Sequence, residues 1–152
     1  MKKYFFVLLI SFINLNLVAC TEKSQGSIDI KAEVIPPCPV SPNCVSSDAT
    51  DQEHQIAPYL LAKEVEKVWP VVQQEIAQQP GCKVVRHTPS FLHAQCRSAF
   101  FRFIDDLKLE LRTEQNIIAV YSASRLGYSD FGVNRKRIES LRTALSKRGQ
   151  IK

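Results

Sequence analysis

Glycine is scarce, with only 5 among 152 residues, and none is spaced as a phosphate-cradling loop or a dinucleotide fingerprint requires. Histidine numbers 3, with no HExxH pair to hold a catalytic zinc, and no nucleophile elbow surrounds any serine. The five cysteines include no C-x-x-C, which leaves out the common thiol redox motif and the finger type of zinc site. Beyond residue 19 no apolar run is long enough to cross a bilayer. Charge is not strongly of one sign either. The formal value of +5 is too mild to argue for nucleic acid as a partner. These absences leave no cofactor, no metal and no catalytic residue named by a motif.

What is present begins with a leader. Lys2 and Lys3 precede an apolar run from Tyr4 to Val18, broken by Ser11, Asn14 and Asn16, and then come Ala19 and Cys20. A basic start, a short hydrophobic segment and a small residue before the cut form a secretory signal. Leu17, Val18, Ala19 and Cys20 resemble the bacterial lipobox, so residues 1–19 are expected to be removed and Cys20 lipidated. Buried acyl chains at about 0.8 kcal/mol per methylene would hold the protein to a membrane. Thr21 stands where an inner-membrane retention signal would show Asp, which places the expected location at the outer membrane, facing the periplasm. Removal of the leader takes Lys2 and Lys3 with it and lowers the formal charge from +5 to +3.

Residues 20–37 are polar and aperiodic and are expected to form a flexible tether. From Thr21 to Pro37 the chain would span roughly 23 Å as a coil and about 55 to 60 Å when stretched. Residues 38–152 are enough for a single domain. They open with CPVSPNCVSS at 38–47, whose prolines exclude helix. Cys38 and Cys44 within it are expected to form a disulfide in an oxidising compartment, worth about 2 kcal/mol by loop entropy. A metal site of Cys38, Cys44 and His54 would lack a fourth ligand.

The domain is expected to be α+β, an antiparallel sheet of four to five strands in the order β-α-β-β-β-β-α, packed on a kinked N-terminal helix and a long C-terminal helix. A short first strand is assigned to 52–58. A helix follows over 62–79, carrying Val65, Val68, Trp69, Val72 and Ile76 at helical spacing, with Pro70 kinking or dividing it. Strands are expected at about 82–87, 91–98, 101–113 and 116–124. A hairpin centred on Pro89 sets Cys82 opposite Cys96, within disulfide reach. Alternation along the third strand of this meander puts Asp105 on the apolar face with Leu107, Leu109 and Leu111, where a carboxylate needs a cation. Arg125 is the expected partner, with Arg102 and Arg135 as alternatives. In the last helix Ile138, Leu141 and Leu145 share a face, and Asp130 or Asn134 is its cap. Arg135, Lys136, Arg137, Arg142, Lys147 and Arg148 form the solvated remainder, or a surface for anionic lipid or lipopolysaccharide.

The densest polar stretch is SASRLGYSDFGVNRKRI at 122–138. With CPVSPNCVSS, His54-x-Ile56-x-Pro58, Ser98 and FRFIDD at 101–106, it resembles the family known as domain of unknown function 1499, over about residues 36–146. That resemblance supplies no activity. The expected function is a lipid-anchored, non-catalytic binding or structural module. Its partner would be the membrane through Cys20 and, beyond it, anionic lipid, lipopolysaccharide or another envelope protein. The cluster Ser98, Arg102, Asp105, Ser122, Ser124, Arg125, Asp130, Asn134 and Arg135 is the candidate for holding an anionic ligand, since arginine forks and serine hydroxyls suit phosphate or carboxylate. The alternative is a hydrolase built on a Ser/His/Asp arrangement, for which His54 is the best base.

Overall fold

Alternating apolar residues at 104–112 dictate a strand buried on one face. The largely apolar runs at 91–97 and 117–124 flank it, 117–124 being buried on both faces, and the computed structural model shows the three in register. It describes residues 33–98 and 102–152, all within one compact unit, Lys31–Lys152. The leader, Cys20, most of the tether and Phe101 lie outside the described residues. In chain order the elements are β1 (Cys44–Ser46), β2 (Tyr59–Leu60), α1 (Val65–Gln78), β3 (Cys82–His87), β4 (Phe91–Arg97), β5 (Ile104–Arg112), β6 (Ile117–Ser124) and α2 (Val133–Lys147). The sheet has six antiparallel strands in the order β1-β6-β5-β4-β3, and β2 also pairs with β6.

The first strand is not where the sequence suggested. Residues 52–58 are a turn followed by one isolated bridge, Gln55 to Ser46, in which Ser46 N donates to the His54 carbonyl and Ile56 N to the Ser46 carbonyl. The edge of β6 is instead taken by β1 at one end and β2 at the other, on either side of that turn. The prolines stop before Asn43, which leaves Cys44–Ser46 free to donate to a ladder, and the Cys38–Cys44 disulfide anchors it there. Helix α1 runs unbroken through Pro70.

Both helices cover one face of the sheet. Val68, Trp69, Val72 and Ile76 of α1 and Ile138, Leu141 and Leu145 of α2 enclose a core with Leu92, Ala94, Leu107, Leu109, Ile118 and Val120. The other face carries a smaller cluster of Ile35, Cys44, Ala119, Tyr121 and Ala123. The chain's end closes the layer: Ile151 bridges Leu61 and enters the core.

The basic residues of α2 are largely engaged. Arg135 donates to the carbonyls of Gln55 and Glu53, Arg142 to those of Pro58 and Ala57 while stacking on Tyr59, and Arg148 pairs with Glu75. These contacts fasten the 47–58 excursion and α1 to the last helix, so α2 is not a uniformly solvated cationic face.

Cys82 and Cys96 face each other across β3 and β4 and are joined. Replacing both with serine should lower unfolding free energy by about 3 kcal/mol on the loop-entropy estimate, read from the urea midpoint. An unchanged midpoint would mean that the hairpin holds without the bridge.

Candidate functional site

The polar stretch at 122–138 folds so that its members divide between two faces and a loop. β6 alternates, so Ser122 and Ser124 lie under α2 while Arg125 passes to the opposite face. On α2, Asn134 and Arg137 are three apart and look toward the sheet beside Ile138 and Leu141. The β5–β6 register sets Asp105 opposite Ser124.

These residues close a ring. The Asp105 carboxylate accepts from Arg137 Nη2 at 2.6 Å and from Ser124 Oγ at 2.7 Å. Arg137 Nη1 donates to Ser122 Oγ at 3.0 Å and to Asn134 Oδ1 at 2.6 Å, and Ser122 Oγ also donates to Asn134 Oδ1. Asn134 Nδ2 completes the circuit by donating to Ser124 Oγ at 3.0 Å and to the Asn43 carbonyl at 3.1 Å. Every buried polar atom of this ring has a partner. The side chain of Asp105 is 2% exposed and that of Arg137 11%.

Asn43 extends the ring outward. Its backbone accepts from Ser124 N, and its Nδ2 donates to the carbonyl of Gly127. Asp130 accepts from Gly132 N and Asn134 N, and so caps α2. The loop between β6 and α2 is therefore tied at Gly127 and Asp130. Between and beyond these ties Leu126, Tyr128 and Phe131 are 69%, 78% and 87% exposed.

The expected partner of Asp105 is corrected: it is Arg137, not Arg125, Arg102 or Arg135. Arg125 lies on the outer face and makes a two-point contact with Asp106, which also holds His93 Nε2 at 2.6 Å. Burial alone would raise the Asp106 carboxyl, but Arg125 and His93 outweigh it and hold it below the usual range. Ser98 Oγ accepts from Phe103 N and shapes its own loop, and Arg102 is exposed at φ +56°. Of the nine candidates, Asp105, Ser122, Ser124 and Asn134 come together, Asp130 meets them only through the Asn134 backbone, and Ser98, Arg102, Arg125 and Arg135 stand elsewhere. Arg137 and Asn43 were missed. The signal for Arg137 was its spacing of three from Asn134 on the helix face that carries Ile138.

A cleft of about 520 Å³ lies between the C-terminal end of α1, the start of α2 and the Cys82–Cys96 bridge, lined by Gln78, Arg97, Arg137 and Ser140 among others. Arg137 is the member of the buried pair that reaches it. Cys38 and Cys44 are joined, which leaves no thiolate there for a metal.

The sequence of these residues matches a family model, "Protein of unknown function (DUF1499)", over residues 34–145. The chain belongs to that family. No curated protein and no solved structure matches it. Within this DUF1499 chain His54 and His93 are each engaged by a carboxylate. His54 is buried, with Nδ1 at 2.7 Å from Asp51 and Nε2 at 3.1 Å from the Ser41 carbonyl. Both neighbours are acceptors, so the ring is satisfied fully only when both nitrogens carry protons. No hydrogen bond joins a histidine ring to a serine hydroxyl among the described residues.

Removing Arg137 alone leaves Asp105 buried and uncompensated, so Arg137→Met should cost about 3 to 5 kcal/mol, whereas Arg125→Ala at its exposed pair should cost under about 1 kcal/mol. Adding Asp105→Leu to Arg137→Met should recover much of the loss. Equal effects of the two single changes in urea unfolding would overturn the assignment of the clamp to Arg137.

His54 supplies a pH dependence. Burial depresses its pKa, but the Ser41 carbonyl and the Asp51 carboxylate outweigh burial and raise it above the ordinary 6.5. A raised folded value gives stability that is complete below 6.5 and is lost as pH rises through the folded value. The unfolding midpoint should therefore fall as pH rises from 6 toward 8, and His54→Gln should flatten that slope.

Proposed function

We propose that this protein is a lipid-anchored, non-catalytic binding module of the bacterial envelope, held through Cys20 at the outer membrane and facing the periplasm. In this reading the Asp105–Arg137 ring is scaffold, and the loop from Arg125 to Val133 is the binding element. One observation carries it: along a single motif Ser122, Ser124, Asn134 and Arg137 turn inward and are satisfied there, while Leu126, Tyr128 and Phe131 between them turn to solvent. Exposed large apolar groups on a tied loop are a recognition surface, since nothing in the fold gains from leaving them in water. An anionic ligand at the ring would have to displace Asp105 from Arg137, exchanging one buried carboxylate for another. A Ser/His/Asp hydrolase finds no support in the hydrogen bonds of His54 or His93, which go to Asp51, the Ser41 carbonyl and Asp106. The leader and the lipobox-like LVAC support the anchor.

The test is crosslinking in the envelope with native mass spectrometry of the mature chain. Leu126→Ser/Tyr128→Ser/Phe131→Ser should remove whatever co-purifies while changing stability by no more than about 0.5 kcal/mol per site, as surface substitutions do. Retention of the co-purifying species in that triple variant, together with its loss in Arg97→Ala at the cleft mouth, would move the site to the cleft.

A further inference from the structure

We infer that the exposed loop takes an anionic bilayer surface as its occupant, with Leu126, Tyr128 and Phe131 entering the headgroup boundary and Arg102 and Lys136 contacting the headgroups. This rests on the reading of that loop as the binding element and names what it binds. Two features distinguish a membrane from a protein groove. The first is chemistry: a leucine, a tyrosine and a phenylalanine on one short loop are the side chains that favour the boundary between hydrocarbon and water.

The second is charge. Arg97, Arg102 and Arg125 are exposed at the end of the sheet from which the loop leaves, and Lys136 is exposed on the first turn of α2. The acids of that end are already committed: Asp105 to Arg137, Asp106 to Arg125 and His93, and Asp130 to the backbone of α2. Among the described residues no ion pair neutralises Arg97, Arg102 or Lys136. An apolar tip on an end of the domain that carries cations with no ion-pair partner is complementary to a surface of anionic headgroups, and each cation adds to attraction within a Debye length.

The backbone agrees. Phe131 adopts φ +54°, a region unfavourable to a bulky residue, although its ring gains no packing there;. That conformation turns the ring outward from the cap Asp130 makes.

An anchor at Cys20 is compatible with this contact. Glu33 bonds Thr88 and pairs with Arg86, at the β3–β4 turn, the opposite end of the sheet from the loop. About 13 residues separate it from Cys20, up to roughly 45 Å of extended chain, against roughly 30 Å for the nine residues of β5;. The tether is long enough for the far end of the domain to reach the surface that holds the anchor.

The experiment uses the full mature chain reconstituted in vesicles of phosphatidylcholine, alone or with about one third phosphatidylglycerol, carrying brominated acyl chains. A tryptophan is placed at the loop by Phe131→Trp, or by Tyr128→Trp in a second variant, and the buried Trp69 signal of the unchanged protein is subtracted. The expected result is a blue-shifted loop emission quenched at least twofold more in the anionic vesicles than in the zwitterionic ones, with the difference removed by Arg102→Ala/Lys136→Ala. Emission typical of water in both vesicles, from a chain that is acylated at Cys20 and floats with them, overturns this inference and leaves the anchoring intact. Equal quenching in the two compositions overturns the anionic assignment. A blue shift without bromine quenching, accompanied by a co-purifying protein, overturns it in favour of a protein partner. A chain lacking acylation that fails to float overturns both readings.

Discussion

A carboxylate placed on the buried face of a sheet constrains everything near it. Asp105 occupies a core position of β5, and its charge is tolerable there only with a cation and further donors at hand. Arg137 supplies the cation from α2 and Ser124 a hydroxyl from β6. Satisfying Arg137 in turn requires Ser122 and Asn134, and satisfying Asn134 requires the backbone of Asn43. The register of β5 on β6, the rotation of α2 over the sheet and the path of the segment before β1 are thereby fixed by one requirement, that no member of the ring be left unpaired. Apolar packing between α2 and the sheet would permit small slides and rotations. The ring permits none without stranding a charge.

The same logic extends to the N-terminal segment. Cys38–Cys44 and the prolines around it restrict the chain's path, and β1 adds three rungs to β6. Asn43 sits between these restraints and reads the loop after β6 through the Gly127 carbonyl. His54 ties the following excursion back to Ser41, and Arg135 and Arg142 hold its far limb by backbone carbonyls. Segments far apart in sequence are thus bound by side chain to backbone contacts. Such contacts tolerate little change at the donor, although they need no particular side chain at the acceptor.

Much of this was legible in the sequence where periodicity carries the signal. The meander, the Cys82–Cys96 bridge, the buried side of β5 and the stripe of α2 all follow from alternation or from a period near 3.6. Asp105 was legible as an exception within an otherwise apolar set. Its partner was not, because topology places Arg125 next to it in the ladder, while alternation along β6 turns Arg125 to the other face. Arg137 is hidden among four other cations of one helix, and its spacing of three from Asn134 singles it out only once the packing of α2 on the sheet, a tertiary quantity, is known. The strand Cys44–Ser46 was masked by its prolines. Residues 52–58 imitated a strand through composition, without the alternation that a half-buried strand shows.

These placements divide the motif at 122–138 by physical cause. Ser122, Ser124, Asp130, Asn134 and Arg137 are accounted for by the burial of Asp105 and the start of α2; Arg125 by Asp106; Arg135 by two backbone carbonyls. Gly127 and Gly132 adopt φ of +93° and +77°, which explains glycine at both turns;. What the fold leaves unexplained is Leu126, Tyr128 and Phe131. A loop with only capping to perform would be served as well by polar side chains, which would also protect the molecule from association. The proposed binding role gives these exposed apolar groups a use that the fold does not, and the ties at Gly127 and Asp130 hold the loop that carries them. On the proposed reading, recognition is carried by the side chains that the fold itself does not use.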